Sequence, residues 1–216
     1  MLRVAIDGPG GTGKSTIAKA IAERFEIEYI DTGAMYRALG LKASKLCIDP
    51  DDEAAVKAML DDTVIDFDSG RTMLDGEDVS GLIRTNEISM AASNYSKLAI
   101  VRAKVDEVSR HLAATKDVVM EGRDIGTTVI PDAEVKIFMT ASPEIRARRR
   151  YNQLIEQGRD ADYDTIYKEI QERDYQDSHR EVSPLRQADD AAFLDSSDMT
   201  LEESIDAVAE LVAAAL

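Results

Sequence analysis

The chain has 216 residues, a length typical of one domain or of one domain with insertions. Its 44% hydrophobic and 31% charged residues are ordinary for a globular enzyme and exclude a chain that is disordered throughout. The 26 Lys and Arg residues against 42 Asp and Glu residues give a net charge of −16, and a surface of that charge repels nucleic acid polymers and anionic membranes.

The first predicted strand is followed by a glycine-rich loop and a helix. Residues 2–6 are a short apolar run typical of a buried strand, and the helix is predicted to end near Phe25. Between them, GPGGTGKS at residues 8–15 matches the phosphate-binding loop, in which inward backbone N–H groups and the positive end of a helix dipole hold an anion. We expect Lys14 to reach the β- and γ-phosphates of ATP, Ser15 to ligate Mg²⁺ and Thr16 to contact the α-phosphate. The predicted ATP-binding residues are Gly8, Pro9, Gly10, Gly11, Thr12, Gly13, Lys14, Ser15 and Thr16.

Residues 28–84 predict a helix with a candidate anion site and then a small β-rich segment. After a short strand at 28–30, DTGAMYR at 31–37 opens a helix that runs from Met35 to Lys45 and places Arg37 one turn inside. On this segment alone, a helix capped by Asp31 with a solvated Arg37 is a better interpretation than an anion site. Residues 63–84 alternate apolar and polar side chains, and turn signals at 68–70 and 75–76 predict a meander of three short strands.

The rest of the chain alternates predicted helices and strands. Such an alternation favours an α/β fold with a parallel sheet covered by helices on both faces. The predicted elements are a helix from Asn86 to Ala114, strands at 118–120 and 134–140, a helix opened by Ser142 and Pro143, an exposed loop at 158–162, a charged helix to His179, a strand at 192–194, and a last helix opened by the capping box Thr200-x-x-Glu203.

Positive charge is concentrated in a few segments of this acidic chain. Arg123 and Asp124 follow a predicted strand and so lie at its carboxyl end, where open α/β sheets bind ligands. Two helix faces carry further charged side chains at the spacings that bring side chains together: Arg146, Arg149 and Arg150 on one, and Arg173, Asp177 and Arg180 on the other. A solvated turn at 123–124 and ion pairing within the second helix are the alternatives. Residues 187–216 hold eight acids and no base, so the bases fit a cleft that binds two polyanions.

With these motifs assembled, the chain resembles the bacterial cytidylate kinases of the nucleoside monophosphate kinase group. The resemblance runs from Ile6 almost to the C-terminus and implies a single P-loop kinase domain over residues 1–216, with a β-rich monophosphate-binding insertion at about 63–84 and a helical lid at about 146–165. The motifs that carry it are GPGGTGKST at 8–16, DTGAMYR at 31–37, EDVSGLIRT at 77–85, EGRDIGT at 121–127 and ERDYQDSHREVSPL at 172–185.

The resemblance also implies roles for individual residues. Thr32, Tyr36 and Arg37 match the monophosphate site, with Arg123 and Arg180 as further phosphate clamps. Arg149 and Arg150 match lid residues that act on the transferring phosphoryl group. The positions that match base and ribose contacts are Ser93, Arg102 and Asp124 for cytosine, and Arg173 and Asp177 for the ribose.

The implied reaction is ATP + CMP → ADP + CDP, with Mg²⁺ bound to ATP and dCMP as a second acceptor. A phosphate acceptor needs no general base, so His111 and His179 are expected to be solvated or capping residues. The alternatives are a P-loop kinase for another acceptor such as UMP or AMP, and a non-catalytic ATP-binding switch. The single cysteine, Cys47, permits no internal disulfide and fits a cytoplasmic protein. No apolar run is long enough to span a membrane, and the absence of heptads makes a monomer the expectation.

Overall fold

The computed structural model describes residues 1–68 and 70–216, which form two compact units, Met1–Ile27 with Asp117–Leu216 and Glu28–Lys116. The strands are β1 (Arg3–Asp7), β2 (Glu28–Asp31), β3 (Ile65–Asp68), β4 (Arg71–Leu74), β5 (Glu77–Asp78), β6 (Val118–Gly122), β7 (Val135–Thr140) and β8 (Ala192–Asp195). The α-helices are α1 (Lys14–Phe25), α2 (Thr32–Lys45), α3 (Glu53–Asp61), α4 (Asn86–Tyr95), α5 (Ala99–Thr115), α6 (Pro143–Glu156), α7 (Tyr163–His179) and α8 (Leu201–Ala213). A 3₁₀ helix covers Leu82–Arg84, and a π-helical turn covers Ile125–Val129.

The first unit is built on parallel strands in the order β6-β1-β7-β8. Ile6 lies between Glu121 on one side and Ile137 on the other, which fixes the register of the three central strands. Residues 4–6 of β1 are completely buried, as expected for a strand covered on both faces by helices. Helix α1 packs against β6 and α8, and α6 packs against α7. The α/β fold class predicted from the sequence is confirmed.

Helix starts in this unit follow the signals in the sequence. Ser142 accepts a hydrogen bond from the N–H of Ile145, and Pro143 occupies the first turn of α6. At the start of α8, Thr200 and Glu203 cap each other's backbone N–H groups at 3.2 and 2.8 Å, so the predicted capping box is present. No helix in the described residues is long and apolar enough to cross a bilayer.

The second unit contains the predicted three-stranded antiparallel sheet, β3-β4-β5. Ile65 pairs with Leu74, and both side chains are buried, as the alternating pattern requires. Asp75 and Gly76 join β4 to β5 with φ angles of 52° and 85°. Two successive positive φ angles are typical of the Asp-Gly hairpin turn that the sequence signalled. The other predicted turn, at 68–70, includes residue 69, which lies outside the described residues.

The helices of the second unit differ from the prediction in three ways. The single helix expected from Asn86 to Ala114 is two helices, α4 and α5, separated at residues 96–98. The Ser96 hydroxyl donates to the Ser93 carbonyl at 3.0 Å, a local bond that competes with continuation of the helix. Helix α3 was not predicted, although Asp52 caps it by accepting from the Ala55 N–H. Helix α2 starts at Thr32 rather than Met35.

Candidate active site

The phosphate-binding loop joins β1 to α1 in the first unit. Gly8 has a φ of 147°, and a Cβ at this position would overlap the carbonyl oxygen of Met139 on β7, so only glycine fits. Gly13, with a φ of 98°, is the N-cap of α1 and has no side chain to bond the first N–H groups of the helix. Those N–H groups and the helix dipole are therefore left for an anion, as the motif predicts.

Lys14 is buried in the first turn of α1. Its Nζ donates to the Pro9 carbonyl at 2.6 Å and lies 3.4 Å from the Thr12 hydroxyl, so the side chain folds back over the loop. Burial, and then the positive charge of Arg123, hold the pKa of Lys14 well below its usual value. A bound polyphosphate would supply the negative charge that favours the ammonium form.

The three arginines on one face of α6 have different surroundings. Arg146 is buried; it donates to the Gly10 carbonyl at 3.1 Å and pairs with Asp174 of α7 at 2.5 Å. Arg149 donates to the Thr12 carbonyl at 3.3 Å and to the Ser196 carbonyl at 2.6 Å. Arg150 bonds Gln153 of its own helix at 2.8 Å. Arg146 and Arg149 thus contact the phosphate loop directly.

Arg146 was placed on this face by its spacing but was given no role by the resemblance. Its guanidinium also donates to the Ala141 carbonyl at 2.8 Å, so it joins the loop, the start of α6 and α7. The Gly10 and Ala141 contacts are to backbone carbonyls, and Gly10 and Asp174 are distant from Arg146 in the sequence. The helical spacing was therefore the single sequence signal available for this residue.

A second cluster in the first unit combines arginines with carboxylates. Arg123 pairs with Asp177 at 2.7 Å, and Arg180 pairs with Asp124 at 3.3 Å and Asp177 at 3.9 Å. A Cβ on Gly10 would lie 3.4 Å from Nη2 of Arg123, so this guanidinium lies against the phosphate loop. Burial alone would raise the pKa of Asp177, but Arg123, followed by Arg173 and Arg180, lowers it below its usual value. The four predicted residues at 123, 124, 177 and 180 therefore form one network.

In the second unit, Asp31 and Arg37 form an ion pair at the start of α2. One carboxylate oxygen of Asp31 accepts from the Ala34 N–H at 2.9 Å, and the other pairs with Nη2 of Arg37 at 2.8 Å. A Cβ on Gly33 would lie 3.0 Å from Nη1 of Arg37, so the guanidinium lies over the first turn, beside the buried Thr32. Thr32 and Arg37 thus lie close together at a helix N-terminus, a position that favours an anion.

Two of the other predicted residues of this unit, Tyr36 and Arg102, also lie together. Arg102 is buried on α5, and its Cζ is 5.7 Å from the centre of the Tyr36 ring, within cation–π range. Ser93 lies on α4, which packs against α2. A Cβ on Gly40 of α2 would lie 2.9 Å from the Ala92 N atom, so glycine at this position permits the close approach of the two helices.

Comparison with known proteins decides the family. The cytidylate kinase family profile matches residues 4–214. The chain belongs to the cytidylate kinase family. A cytidylate kinase of Thermosipho melanesiensis is 44% identical over 210 residues, which are 97% of this chain and 96% of that protein. A cytidylate kinase of Lactobacillus johnsonii is 47% identical over 216 residues, with 98% of this chain and 94% of that protein covered.

The fold of this cytidylate kinase family member is shared with more distant proteins. A crystal structure of shikimate kinase from Bacteroides thetaiotaomicron superposes with a TM-score of 0.50 at 14% identity, covering 98% of each chain. At that identity the likeness concerns the fold alone. The resemblance read from the five sequence motifs is thus confirmed by the family match and not by this structure.

The described residues fit a Mg²⁺ ion that is carried by a nucleotide. The Ser15 side chain is exposed on the first turn of α1, and its hydroxyl is an oxygen ligand of the kind Mg²⁺ prefers. Within residues 1–68 and 70–216, no cluster of three or more His, Cys, Asp or Glu side chains forms a protein cage for a metal. Mg²⁺ that keeps its waters and binds phosphates needs only one or two protein ligands.

Asp7 is a buried site residue that the sequence analysis missed. Its oxygens accept from the N–H groups of Ile125 and Gly126 at 2.8 and 2.7 Å. Burial raises the pKa of Asp7 to about 6, although these two hydrogen bonds oppose the rise. An acid at the end of a predicted strand was the only signal in the sequence.

Proposed function

We propose that the protein transfers the γ-phosphoryl group of ATP to CMP, giving ADP and CDP, and that dCMP is also an acceptor. The observation that carries this proposal is the family match over residues 4–214. The phosphate loop with its buried Lys14 lies within that match. The relatives from Thermosipho melanesiensis and Lactobacillus johnsonii, both cytidylate kinases, align with nearly the whole chain.

In this proposal the first unit binds ATP. The N–H groups at the start of α1 hold the phosphates, and Lys14 leaves the Pro9 carbonyl to bond the β- and γ-phosphates. Ser15 would hold a Mg²⁺ ion brought in with the nucleotide, and that ion would supply positive charge beside the phosphoryl oxygens. Support for these roles comes from the exposed Ser15 and from the inward fold of the lysine.

Each residue proposed to bind the acceptor has the role that its motif implies. Thr32, Tyr36 and Arg37 contact the monophosphate, and Ser93 and Arg102 contact the base. Asp124 reads the cytosine amino group, Arg123 and Arg180 clamp the phosphate, and Arg173 and Asp177 contact the ribose. The pairing of Arg180 with Asp124 at 3.3 Å supports a shared role for this network.

The chemistry requires positive charge rather than a base. A phosphate monoester with a second pKa of about 6 is largely dianionic at neutral pH, so it attacks without losing a proton to the protein. ATP and CMP together bring roughly six negative charges, which Mg²⁺, Lys14 and the arginines offset. Arginine suits this role because its planar fork binds two phosphate oxygens at once.

We propose that the lid lies in the segment of residues 146–165 and closes to exclude water from the phosphoryl group. Arg146 and Arg149 are bonded to carbonyls of the phosphate loop, which anchors the first half of α6. The motion is therefore assigned to the part beyond Arg150, where the exposed Gly158, with a φ of 69°, joins α6 to α7.

An acceptor panel tests the proposal. ADP formation from ATP is measured with CMP, dCMP, UMP and AMP, and with no acceptor. We expect CMP and dCMP to give the highest kcat/KM. Preference for another monophosphate would reassign the acceptor, whereas ATP turnover that no monophosphate stimulates would favour an ATP-binding switch. We further propose a monomer in the cytoplasm, which gel filtration and cell fractionation check.

A further inference from the structure

The guanidinium of Arg146 is buried against the phosphate loop, and the whole residue is only 2% exposed. Its Nη1 donates to the Gly10 carbonyl at 3.1 Å and to Oδ1 of Asp174 at 2.9 Å. Nη2 donates to Oδ2 of Asp174 at 2.5 Å, and Nε donates to the Ala141 carbonyl at 2.8 Å. All three nitrogens therefore have partners, and the plane of the guanidinium is fixed by the loop, by the residue after β7 and by α7.

The positive charge of Arg146 is matched by the carboxylate of Asp174. Both carboxylate oxygens accept from the guanidinium, which is the two-point geometry of the stronger arginine–carboxylate pairs. Because the arginine is buried and paired in this way, it adds little net positive charge to the phosphate site. An effect of Arg146 on bound phosphates therefore has to pass through the backbone of the loop.

The bond to Gly10 fixes the direction of one peptide group of the loop. No peptide bond in residues 1–68 and 70–216 is cis, and in a planar trans peptide the carbonyl and the following N–H point in opposite directions. Since the Gly10 carbonyl points toward Arg146, the N–H of Gly11 points away from it. No acceptor in the described part of the chain bonds this N–H, so it is left for an anion in front of α1.

The stem of Arg146 also supports the loop. Gly11 has a φ of 81°, and a Cβ on this residue would lie 3.3 Å from Cβ of Arg146. The backbone of the loop is therefore in direct contact with α6 at the residue whose N–H is oriented. The guanidinium and the stem act on neighbouring residues, so the peptide group between Gly10 and Gly11 is held at both of its ends.

We propose that Arg146, held by Asp174, is a positioning residue for the phosphates of the donor nucleotide, because it orients the peptide group between Gly10 and Gly11 so that the Gly11 N–H faces the polyphosphate. Arg146 itself contacts neither the donor nor the reacting atoms. The inference deepens the proposed function and rests on the part of it that concerns ATP binding.

The test is the dissociation constant (Kd) of Arg146→Lys for ATP, measured by calorimetry without an acceptor. A lysine side chain keeps a positive charge beside Asp174, but it lacks the planar fork that also reaches the Gly10 and Ala141 carbonyls. We expect the Kd for ATP and for inorganic tripolyphosphate to rise by about tenfold or more, since a hydrogen bond to a charged group is lost. The Kd for CMP should change by less than about twofold. If Arg146 acted through its charge alone, the lysine would preserve every value.

The matched control is Arg148→Lys on the same helix. Arg148 is exposed, and its Cζ lies 5.8 Å from the centre of the Tyr163 ring, a contact that a lysine also makes. This variant should keep the wild-type Kd for ATP and for CMP. Thermal unfolding separates positioning from simple support, because a purely structural loss lowers the melting temperature and the folded fraction but leaves the Kd of the folded protein unchanged. An unchanged Kd for ATP in folded Arg146→Lys, or an equal rise for ATP and CMP, would overturn the proposal.

Asp174→Asn is the second variant, and it decides the question if Arg146→Lys does not fold. The asparagine oxygen accepts from one terminal nitrogen of Arg146, but its amide group faces the other, so the guanidinium turns away from the Gly10 carbonyl. Positioning predicts a Kd for ATP that is higher by about threefold or more. A role of charge predicts the opposite sign, because loss of the carboxylate leaves the positive charge uncompensated. Tighter or unchanged ATP binding would refute the positioning role.

Failure of this inference is distinguishable from failure of the proposed function. Wild-type protein that binds ATP but phosphorylates no monophosphate would refute the proposed function, while the Kd of Arg146→Lys for ATP would still decide the role of Arg146. Wild-type protein that binds neither ATP nor tripolyphosphate would refute both.

Discussion

Lys14→Met should raise the stability of the empty protein while it abolishes catalysis. The lysine is buried, and burial together with Arg123 disfavours its ammonium form in the absence of a ligand. A buried charge that is not fully paired costs free energy, and an apolar side chain of similar length removes that cost. The change removes one hydrogen bond to the Pro9 carbonyl, worth about 1 kcal/mol, but the Thr12 hydroxyl still donates to that carbonyl at 3.3 Å. We therefore expect a net gain in the free energy of unfolding, on the order of 1 kcal/mol.

The same substitution should lower the catalytic rate while it raises the stability. An oriented donor that acts on the transition state contributes on the order of 3 kcal/mol, so kcat should fall by at least about a hundredfold. The assays are denaturant unfolding without nucleotide and ADP formation with saturating ATP and CMP. Lys19→Met is the control, since Lys19 is exposed on the same helix.

The pH dependence of the free energy of unfolding tests the lowered pKa of Lys14 independently. The pKa of Lys14 is lower in the folded protein than in the unfolded chain, so between the two values the unfolded chain binds more protons. The free energy of unfolding of the wild type should therefore rise with pH from the neutral range toward pH ~10, and Lys14→Met should lack this slope. A variant that is less stable than the wild type by about 2 kcal/mol, or that keeps normal turnover, would refute the reasoning.

Three further predictions follow from the site. Asp124→Asn should lower kcat/KM for CMP and narrow the CMP/UMP ratio, because its amide can donate to the uracil carbonyl; an unchanged ratio would mean that the base is read elsewhere. Arg149→Ala should lower kcat far more than it raises KM for CMP, and Arg150→Ala should do the same if it acts on the transferring group, whereas a wild-type kcat in both would make them a solvated helix face. Gly8→Ala should unfold the protein or destabilise it by several kcal/mol, since the methyl group overlaps the Met139 carbonyl; a folded, active variant with a normal melting temperature would contradict the geometry of the loop.

Features that depend on a few neighbouring residues were predicted correctly from the sequence. The phosphate loop was found because its glycines, Lys14 and Ser15 all lie within residues 8–15 and each residue type has a separate physical role there. The Asp75-Gly76 hairpin was found because two positive φ angles leave few residue choices. The capping box at Thr200 needs only a four-residue pattern.

Features that depend on distant parts of the chain were missed or misplaced. The hydrogen bonds that Asp7 accepts from the N–H groups of the 125–129 turn span more than a hundred residues, and nothing near Asp7 in the sequence marks it as their acceptor. Arg146 was seen as one of three arginines on a helix face, but its bond to the Gly10 carbonyl, 136 residues away, depends on tertiary packing. The break between α4 and α5 was missed because both helices continue the same apolar pattern.

The ion pairs of Arg123 and Arg180 have a consequence for selectivity among anions. Both guanidiniums already face carboxylates, those of Asp177 and Asp124, so an incoming phosphate must compete with a resident counter-charge. An anion that offers only acceptors would draw both guanidiniums away from two partly buried carboxylates, and that exchange gains little free energy. A nucleotide that brings an amino group and ribose hydroxyls beside its phosphate gives the displaced carboxylates new donors. Inorganic phosphate and sulfate should therefore compete poorly with a nucleotide for these two arginines.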